Sequence, residues 1–301
     1  MTSEKDNIRI INPTAFEGWD ELVLSHPEAA IFHSSAWARV LSESYGYTPF
    51  YFTVLDRQRL SALLPVMEVK SLLTGTRGVS LPFTDYCDPI LDGETSLNDL
   101  FDHVIDFGKK QRWKYIELRT CFVSQEEEAR SKEQGARNKE EGPRTQAEET
   151  RTHSPSSFRL SPFPFPLTPC LSYMGHTIDL DGGPEDLFKR FKDSARRNIR
   201  KAGREGVEAG IFDSLESVRE FSRLNSMTRR EHGLPPQPLG FFEKVHEHVI
   251  RRGLGFVALA SYQGKSVAGA VYFHFGRKAF YKYGASDRKF QNLRANNLVM
   301  W

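Results

Sequence analysis

The chain has 301 residues, 39% hydrophobic and 27% charged, a soluble globular profile long enough for two domains, each with its own core. Lys and Arg number 41 against 39 Asp and Glu, so general basicity of the nucleic-acid-binding kind is excluded and any polyanion contact must come from a local patch. The opening MTSEKDNIRI lacks an apolar core of signal-peptide length, and no apolar run nears the roughly 18–20 residues of a membrane span; the expectation is a cytoplasmic protein without an integral membrane segment.

Cys87, Cys121 and Cys170 show neither paired nor metal-ligand spacing and read as reduced thiols. The nine histidines form no metal-ligand pattern; His246 and His248, two apart on a helix, face apart. Neither a Gly-x-Ser-x-Gly elbow nor a Walker loop occurs, and Gly182-Gly183 marks only the start of a helix.

In chain order, IRIIN predicts a short strand and Pro13 to Leu24 a helix with proline in its first turn. Ala36 to Ser44 predicts a second helix, stopped at Gly46. FYFTVLD and RLSALLPVMEVK, joined by Asp-Arg-Gln-Arg, predict a hairpin. Leu97, Leu100, Phe101, Val104, Ile105 and Phe107 follow amphipathic helical spacing through Lys110, and KYIELR reads as a buried strand. Residues 122–170 carry a long charged run broken by Gly135, Gly142 and Pro143, then SPFPFPLTP. With almost no apolar residue to offset its ordering entropy, this segment is expected to be a disordered, charged and Pro-rich insertion, a docking segment for a partner being the alternative reading.

Order resumes after residue 171. YMGHTIDL predicts a strand, Pro184–Phe191 and Ser194–Arg204 predict helices, and VEAGIF a strand. Leu215–Arg230 and Phe241–Arg252 predict two more helices. GFVALASY, KSVAGAVYFHF and KAFYKYGA then predict an antiparallel meander turning at Gln263-Gly264 and Gly276-Arg277. LRANNLVMW opens a helix that is still apolar at Trp301, so the second domain is expected to be incomplete at its C-terminus.

Four phrases in this order resemble the Fem/CelD-type branch of the GNAT superfamily: FHSSAWARVLSESYGYTPFYF, LPFTDYCDP, SARRNIRKAGREGV and FYKYGASD, with LRANNLVMW following. The resemblance covers nearly the whole chain outside the insertion. It implies an α/β (α+β type) fold of two tandem GNAT-like domains with mixed, mainly antiparallel sheets, residues 1–121 on the acceptor side and 171–301 on the donor side. It further implies N-acyl transfer to an amine of a small molecule or a cell-envelope or exopolysaccharide precursor, with no metal. The donor it implies is acyl-CoA, acetyl-CoA among them, or aminoacyl-tRNA as in Fem enzymes. One departure is that GNAT domains hold the CoA pyrophosphate on a Gly-rich turn at a helix start, whereas Gln291 to Asn296 contains no glycine.

Acyl transfer requires a deprotonated amine, a stabilised oxyanion and a leaving group that gains a proton. Asp85, in the Pro-flanked loop 82–89 that resembles the family's acceptor-lining loop, is the first choice as acceptor anchor or base, with Tyr86 and Trp37 in substrate contact. The same aspartates, 85 and 88, equally suit turn caps. Lys282 is a candidate for oxyanion stabilisation and Tyr283 for proton donation; strand alternation would put Tyr281 and Tyr283 on one face and Lys282 on the other. Arg197, Arg200 and Lys201 share one helical face able to grip phosphates of a nucleotide, tRNA or CoA, or merely to solvate the helix. Arg288 and Asn296 are weaker phosphate or amide contacts, and His33 is expected to pack or cap within the first domain, a reading that Trp37 shares beside substrate contact. A non-catalytic scaffold role in an envelope pathway is the remaining alternative.

Overall fold

The computed structural model describes residues 7–57, 59–92, 97–119 and 175–301; the inserted segment and Cys121 and Cys170 lie outside them. A first sheet runs in the order β1 (Ile8–Ile11), β2 (Thr48–Asp56), β3 (Arg59–Ser71), β4 (Gly75–Ser80) and β6 (Ile116–Leu118), with β5 (Ile90–Leu91) pairing beside β4 on the same edge of β3. All its pairings are antiparallel except β4 with β6. The second sheet, β10 (Lys278–Ser286), β9 (Lys265–Phe275), β8 (Gly255–Tyr262) and β7 (Glu208–Phe212), is antiparallel throughout. The expected mixed α/β architecture with two mainly antiparallel sheets is thus present.

Local chemistry explains most boundaries. Helix α1 spans only Trp19–Leu24, shorter than the pattern suggested. Asn12 Oδ1 accepts from the Thr14 N–H at 3.0 Å, forming a turn, and Gly18 adopts φ 74° before the helix can begin. Helix α2 (Ser35–Tyr45) is capped by Ser34, whose Oγ accepts from Trp37 N, and stopped by Gly46 at φ 70°. Helix α3 covers Leu97–Lys110 as the periodicity predicts. Residues 175–180 carry no strand, contrary to the reading of YMGHTIDL, and β6 is a half-buried edge strand rather than a buried one. Helices α4 (Gly183–Arg190) and α5 (Asp193–Arg204) are separated by extended Phe191. Helices α6 (Leu215–Glu231) and α7 (Leu239–His248) follow β7, and α8 (Ala295–Met300) ends the chain.

Alternation along the strands sorts the apolar residues into three clusters. Phe52, Val54, Leu64 and Val66 pack against Leu100, Phe101 and Val104 of α3 on the outer face of the first sheet. Ala258, Ala260, Ala268 and Ala270 meet Ala202 of α5 and Val299 of α8 on the outer face of the second. The largest cluster lies between the sheets and draws on both: Phe32, Trp37, Tyr51 and Leu63 from the N-terminal part, Phe241, Phe242, Val257 and Phe273 from the C-terminal part. Trp37 sits 5.6 Å from Phe273 and 6.2 Å from Phe241, ring to ring. The main core is therefore a seam common to both sheets.

Among the described residues, four lysine or arginine ion pairs cross this seam, and in each the acid comes from the first 90 residues and the cation from beyond residue 240. Arg252–Asp20 and Lys278–Glu28 measure 2.9 and 2.6 Å; Lys244–Glu43 and Lys282–Asp85 measure 2.7 and 3.0 Å. Complementary charge of this sort fixes register between packed faces more than it adds stability.

Candidate active site at the seam

Two devices bring Asp85 and Lys282 together. The first is the loop 81–89, emitted where β3's edge changes partner from β4 to β5. Thr84 Oγ1 donates to Leu81 O at 2.7 Å, Arg119 Nη1 to Thr84 O at 3.2 Å, and Cys87 N to Arg119 O at 2.6 Å. His33 Nε2 is 2.9 Å from Asp88 O. Held at these points, the loop presents Asp85 outward.

The second device is a β-bulge. Tyr281 pairs with Tyr272 but Tyr283 pairs with Val271, so Lys282 is the extra residue. A bulge of this type turns two successive side chains to the same side. Tyr281 stays on the outer face, 5.5 Å from Tyr272, whereas Tyr283 packs on Phe241, Phe242 and Phe273 in the seam. Lys282 joins Tyr283 there, its Nζ 5.3 Å from that ring and 5.6 Å from Phe32. Simple alternation placed Lys282 opposite Tyr283, and the bulge reverses that expectation.

The Lys282 side chain is 4% exposed and Asp85 is 64% exposed. Burial lowers the lysine's pKa from its ordinary value, and the neighbouring Asp85 charge opposes that shift. The result is an ammonium set in an aromatic wall with an accessible carboxylate in front of it. The Tyr283 hydroxyl is buried and has no hydrogen-bond partner among the described residues. Burial raises its pKa well above the ordinary phenol value, so it keeps its proton at neutral pH.

Sequence reasoning missed Tyr45, Phe83 and Arg119. Tyr45 stacks on Tyr47 and Phe83 at 5.4 and 4.8 Å, and burial raises its pKa to about 12. Phe83 takes a left-handed φ of 58° to reach that stack. Arg119 supports the loop and adds positive charge that acts on Lys282. The aromatic repeat Tyr45-Gly-Tyr47 was the available signal for the stack.

Trp37, expected either to contact substrate or to pack, is a core residue with no exposed surface, enclosed by Phe32, Phe241 and Phe273; its burial corrects the substrate-contact assignment and agrees with packing. Tyr86 is half-buried beside Phe280, 6.0 Å ring to ring. Next to it, Cys87 Sγ lies 3.7 Å from His33 Nε2, but this is no catalytic dyad. His33 Nδ1 accepts from Ala30 N at 3.1 Å, so the proton sits on Nε2 and points to Asp88 O. Burial lowers the His33 pKa to about 4 and pushes the Cys87 thiol well up, and the cavity beside them measures only about 20 Å³.

The basic residues occupy a different layer. Arg197, Arg200 and Arg204 line an open hollow of about 660 Å³ on α5, with Lys201 on the same helix. Helix α5 covers the outer face of the second sheet, whereas Lys282 faces the seam. The structure does not bring the arginine face and the Asp85–Lys282 pair into one cluster. Arg288 is exposed just past β10, and Asn296 Nδ2 donates to Ser286 Oγ at 3.2 Å. In the glycine-free turn, Arg294 itself takes a left-handed φ of 61°. Its N–H bonds Gln291 O and its carbonyl accepts from the Asn297 N–H, so the Arg294 donor of this turn is already used internally.

Another seam cluster gathers Glu43, Glu247 and His248. Lys244 stands between the carboxylates, 2.7 Å from Glu43 and 2.8 Å from Glu247, and supplies the positive charge they need. Among the described residues no helix is long and apolar enough to cross a membrane.

Comparison with known proteins gives three findings. Residues 189–301 match the acetyltransferase (GNAT) domain family. The crystal structure of FemX superposes with a TM-score of 0.61 at 14% identity, covering 97% of this chain and 83% of that one; this likeness shows the fold. The C-terminal domain (DUF2156) of an Agrobacterium fabrum protein described as a lysylphosphatidylglycerol synthetase aligns at 12% identity over 94% of this chain and 76% of its own, with a TM-score of 0.41, too low to carry an argument. No curated protein matches the sequence.

Proposed function

We propose, for a chain whose residues 189–301 match the acetyltransferase (GNAT) domain family and whose two sheets follow the FemX fold, that it is a cytoplasmic N-acyltransferase working at the seam between those sheets. The observation that carries this reading is the 3.0 Å bridge between exposed Asp85 and buried Lys282. An acceptor ammonium has the same charge as Lys282 and can approach the open side of the Asp85 carboxylate, which orients it and takes its proton. The freed nitrogen attacks the donor carbonyl carbon, a C–N bond forms, and the C–S or C–O bond to the donor breaks. The nitrogen's second proton leaves with the thiol or hydroxyl product, and the proton first taken by Asp85 passes to solvent, which restores the carboxylate. Negative charge gathers on the carbonyl oxygen during attack, and Lys282, preorganised in a poorly solvated wall, stabilises it there with the Tyr283 hydroxyl as a second donor.

The donor in this reading is an acyl-CoA such as acetyl-CoA, and the acceptor an amine of a small molecule or envelope precursor. Aminoacyl-tRNA is the second reading. It is favoured by the glycine-free turn at Gln291 to Asn296, where the Arg294 N–H is already bonded to Gln291 O and is one donor fewer for a CoA pyrophosphate. On either reading Arg197, Arg200 and Lys201 offer a phosphate-binding face on the outer layer. Calorimetric titration with acetyl-CoA yields binding heat if CoA is the donor. Loss of transfer after RNase treatment, with no heat from acetyl-CoA, selects tRNA. Failure of both donors overturns the proposal.

A further inference from the structure

The β3–β4 hairpin ends in Ser71-Leu72-Leu73-Thr74-Gly75, and both leucines are fully in solvent, at 106% and 95% exposure. Hairpin tips are ordinarily polar, and a single exposed leucine needs no explanation. Two adjacent ones at a protruding tip do.

The tip is stiff rather than frayed. Thr74 N donates to Ser71 Oγ at 3.2 Å, Arg77 Nη1 to Thr74 Oγ1 at 2.9 Å, and Gly75 turns with φ 83°. At its root the buried Glu68 accepts from Trp113 Nε1 at 2.8 Å and pairs with Lys70 at 2.9 Å. A rigid mount keeps the leucines from folding back onto the protein.

The surroundings are basic. Lys70 and Arg77 flank the hairpin, and Lys114 lies against Gly75, its Cε within 2.5 Å of where a Cβ would stand. Arg112 is exposed on the adjoining connection, and Lys109 and Lys110 end α3 one turn away. Against these stand Glu68, paired with Lys70, and Asp106, paired with Lys109. Tyr115 adds a half-exposed ring under Arg77, 5.9 Å from its guanidinium. Two leucines projecting through a collar of cations and an amphipathic ring match the chemistry of an anionic membrane surface: headgroups meet the collar, and the apolar boundary takes the leucines.

We infer that the β3–β4 tip is a docking foot that seats this protein on anionic lipid. The inference does not depend on which acyl donor is used. The test is co-sedimentation of the full chain with vesicles of equal phosphatidylcholine and phosphatidylserine, beside vesicles of phosphatidylcholine alone. The wild-type chain pellets with the mixed vesicles and stays in the supernatant with the neutral ones. Leu72→Ser/Leu73→Ser reduces pelleting by about ten-fold or more, and each of Arg77→Gln and Lys114→Gln by about five-fold. Both leucines are exposed, so circular dichroism and the melting curve of the double variant stay as in wild type. Wild-type chain that remains in solution, as it would if the tip seats a protein, overturns the inference. So does equal pelleting of the double leucine variant, equal pelleting with neutral vesicles, or loss of binding on Arg197→Ser/Arg200→Ser with the tip variant unaffected.

Discussion

Lys282 Nζ and Asp85 Oδ2 lie 3.0 Å apart although 197 residues separate them in sequence. Their meeting needs the extra residue in β10, the tethered loop after β4, and the aromatic packing that joins the two sheets. The pair reports directly on the seam, so the chemistry proposed for it and the cohesion of the fold are linked.

Because Trp37, Phe241 and Phe273 belong to one cluster, the two sheets are expected to unfold together. Calorimetry should show one transition, with van't Hoff and calorimetric enthalpies in agreement. Trp37→Ala should lower stability by about 3–5 kcal/mol and shift the whole transition. Two resolved transitions, only one of them moved by Trp37→Ala, would show that the sheets melt independently.

His33 makes acid stability a test of the loop's anchoring. Its folded pKa is lowered from 6.5 to about 4 by burial, so between those values the unfolded chain binds a proton that the native chain refuses. Stability is then full above pH 6.5 and falls as the pH drops toward 4, by about 3 kcal/mol in all from this group. Melting temperatures measured across that window should decline in wild type and decline distinctly less in His33→Gln. An equal slope in both would assign the acid sensitivity elsewhere.

Cys87 should be chemically silent. Its thiol is buried and its pKa raised, which leaves almost no thiolate at neutral pH. In a Cys121→Ser/Cys170→Ser background, iodoacetamide should modify Cys87 only after denaturant is added, and Cys87→Ala should retain turnover. Rapid native labelling together with a dead Cys87→Ala variant would restore a Cys–His mechanism.

The outer arginine face and the seam should separate kinetically. Arg197→Ser/Arg200→Ser should raise KM for the phosphate-bearing substrate by about ten-fold or more while kcat changes little, since those residues bind away from the reacting atoms. A fall in kcat matching that of the Lys282 variant would place both sets in one site.

Much of this was legible from the sequence because it is local. The periodicity of Leu97–Lys110, the stop at Gly46, and the three meander strands are set by neighbours a few residues apart. Asp85 and Lys282 were each identifiable as chemistry-bearing. What escaped was set by partners distant in sequence. The bulge at Lys282 breaks a period-2 pattern that the sequence otherwise honours. Strand β4 carries only Val79 as a large apolar residue, its place being fixed by pairing with β3 and β6. Trp37 looked like a groove residue because nothing near it in the chain reveals that Phe241 and Phe273 enclose it. The arginine face was a sound reading of one helix, but a helix alone does not show which side of a sheet it covers.

The most direct test is the steady-state rate of acyl transfer by Lys282→Met and Asp85→Asn, with whichever of acetyl-CoA or aminoacyl-tRNA supports turnover by the wild-type chain. Removing a preorganised oxyanion donor costs about a hundred-fold or more in kcat, and that loss is expected for Lys282→Met in a chain that still melts cooperatively. Asp85→Asn should lose activity comparably, most severely at low pH, where the acceptor amine arrives protonated. Wild-type kcat in both folded variants would contradict the account.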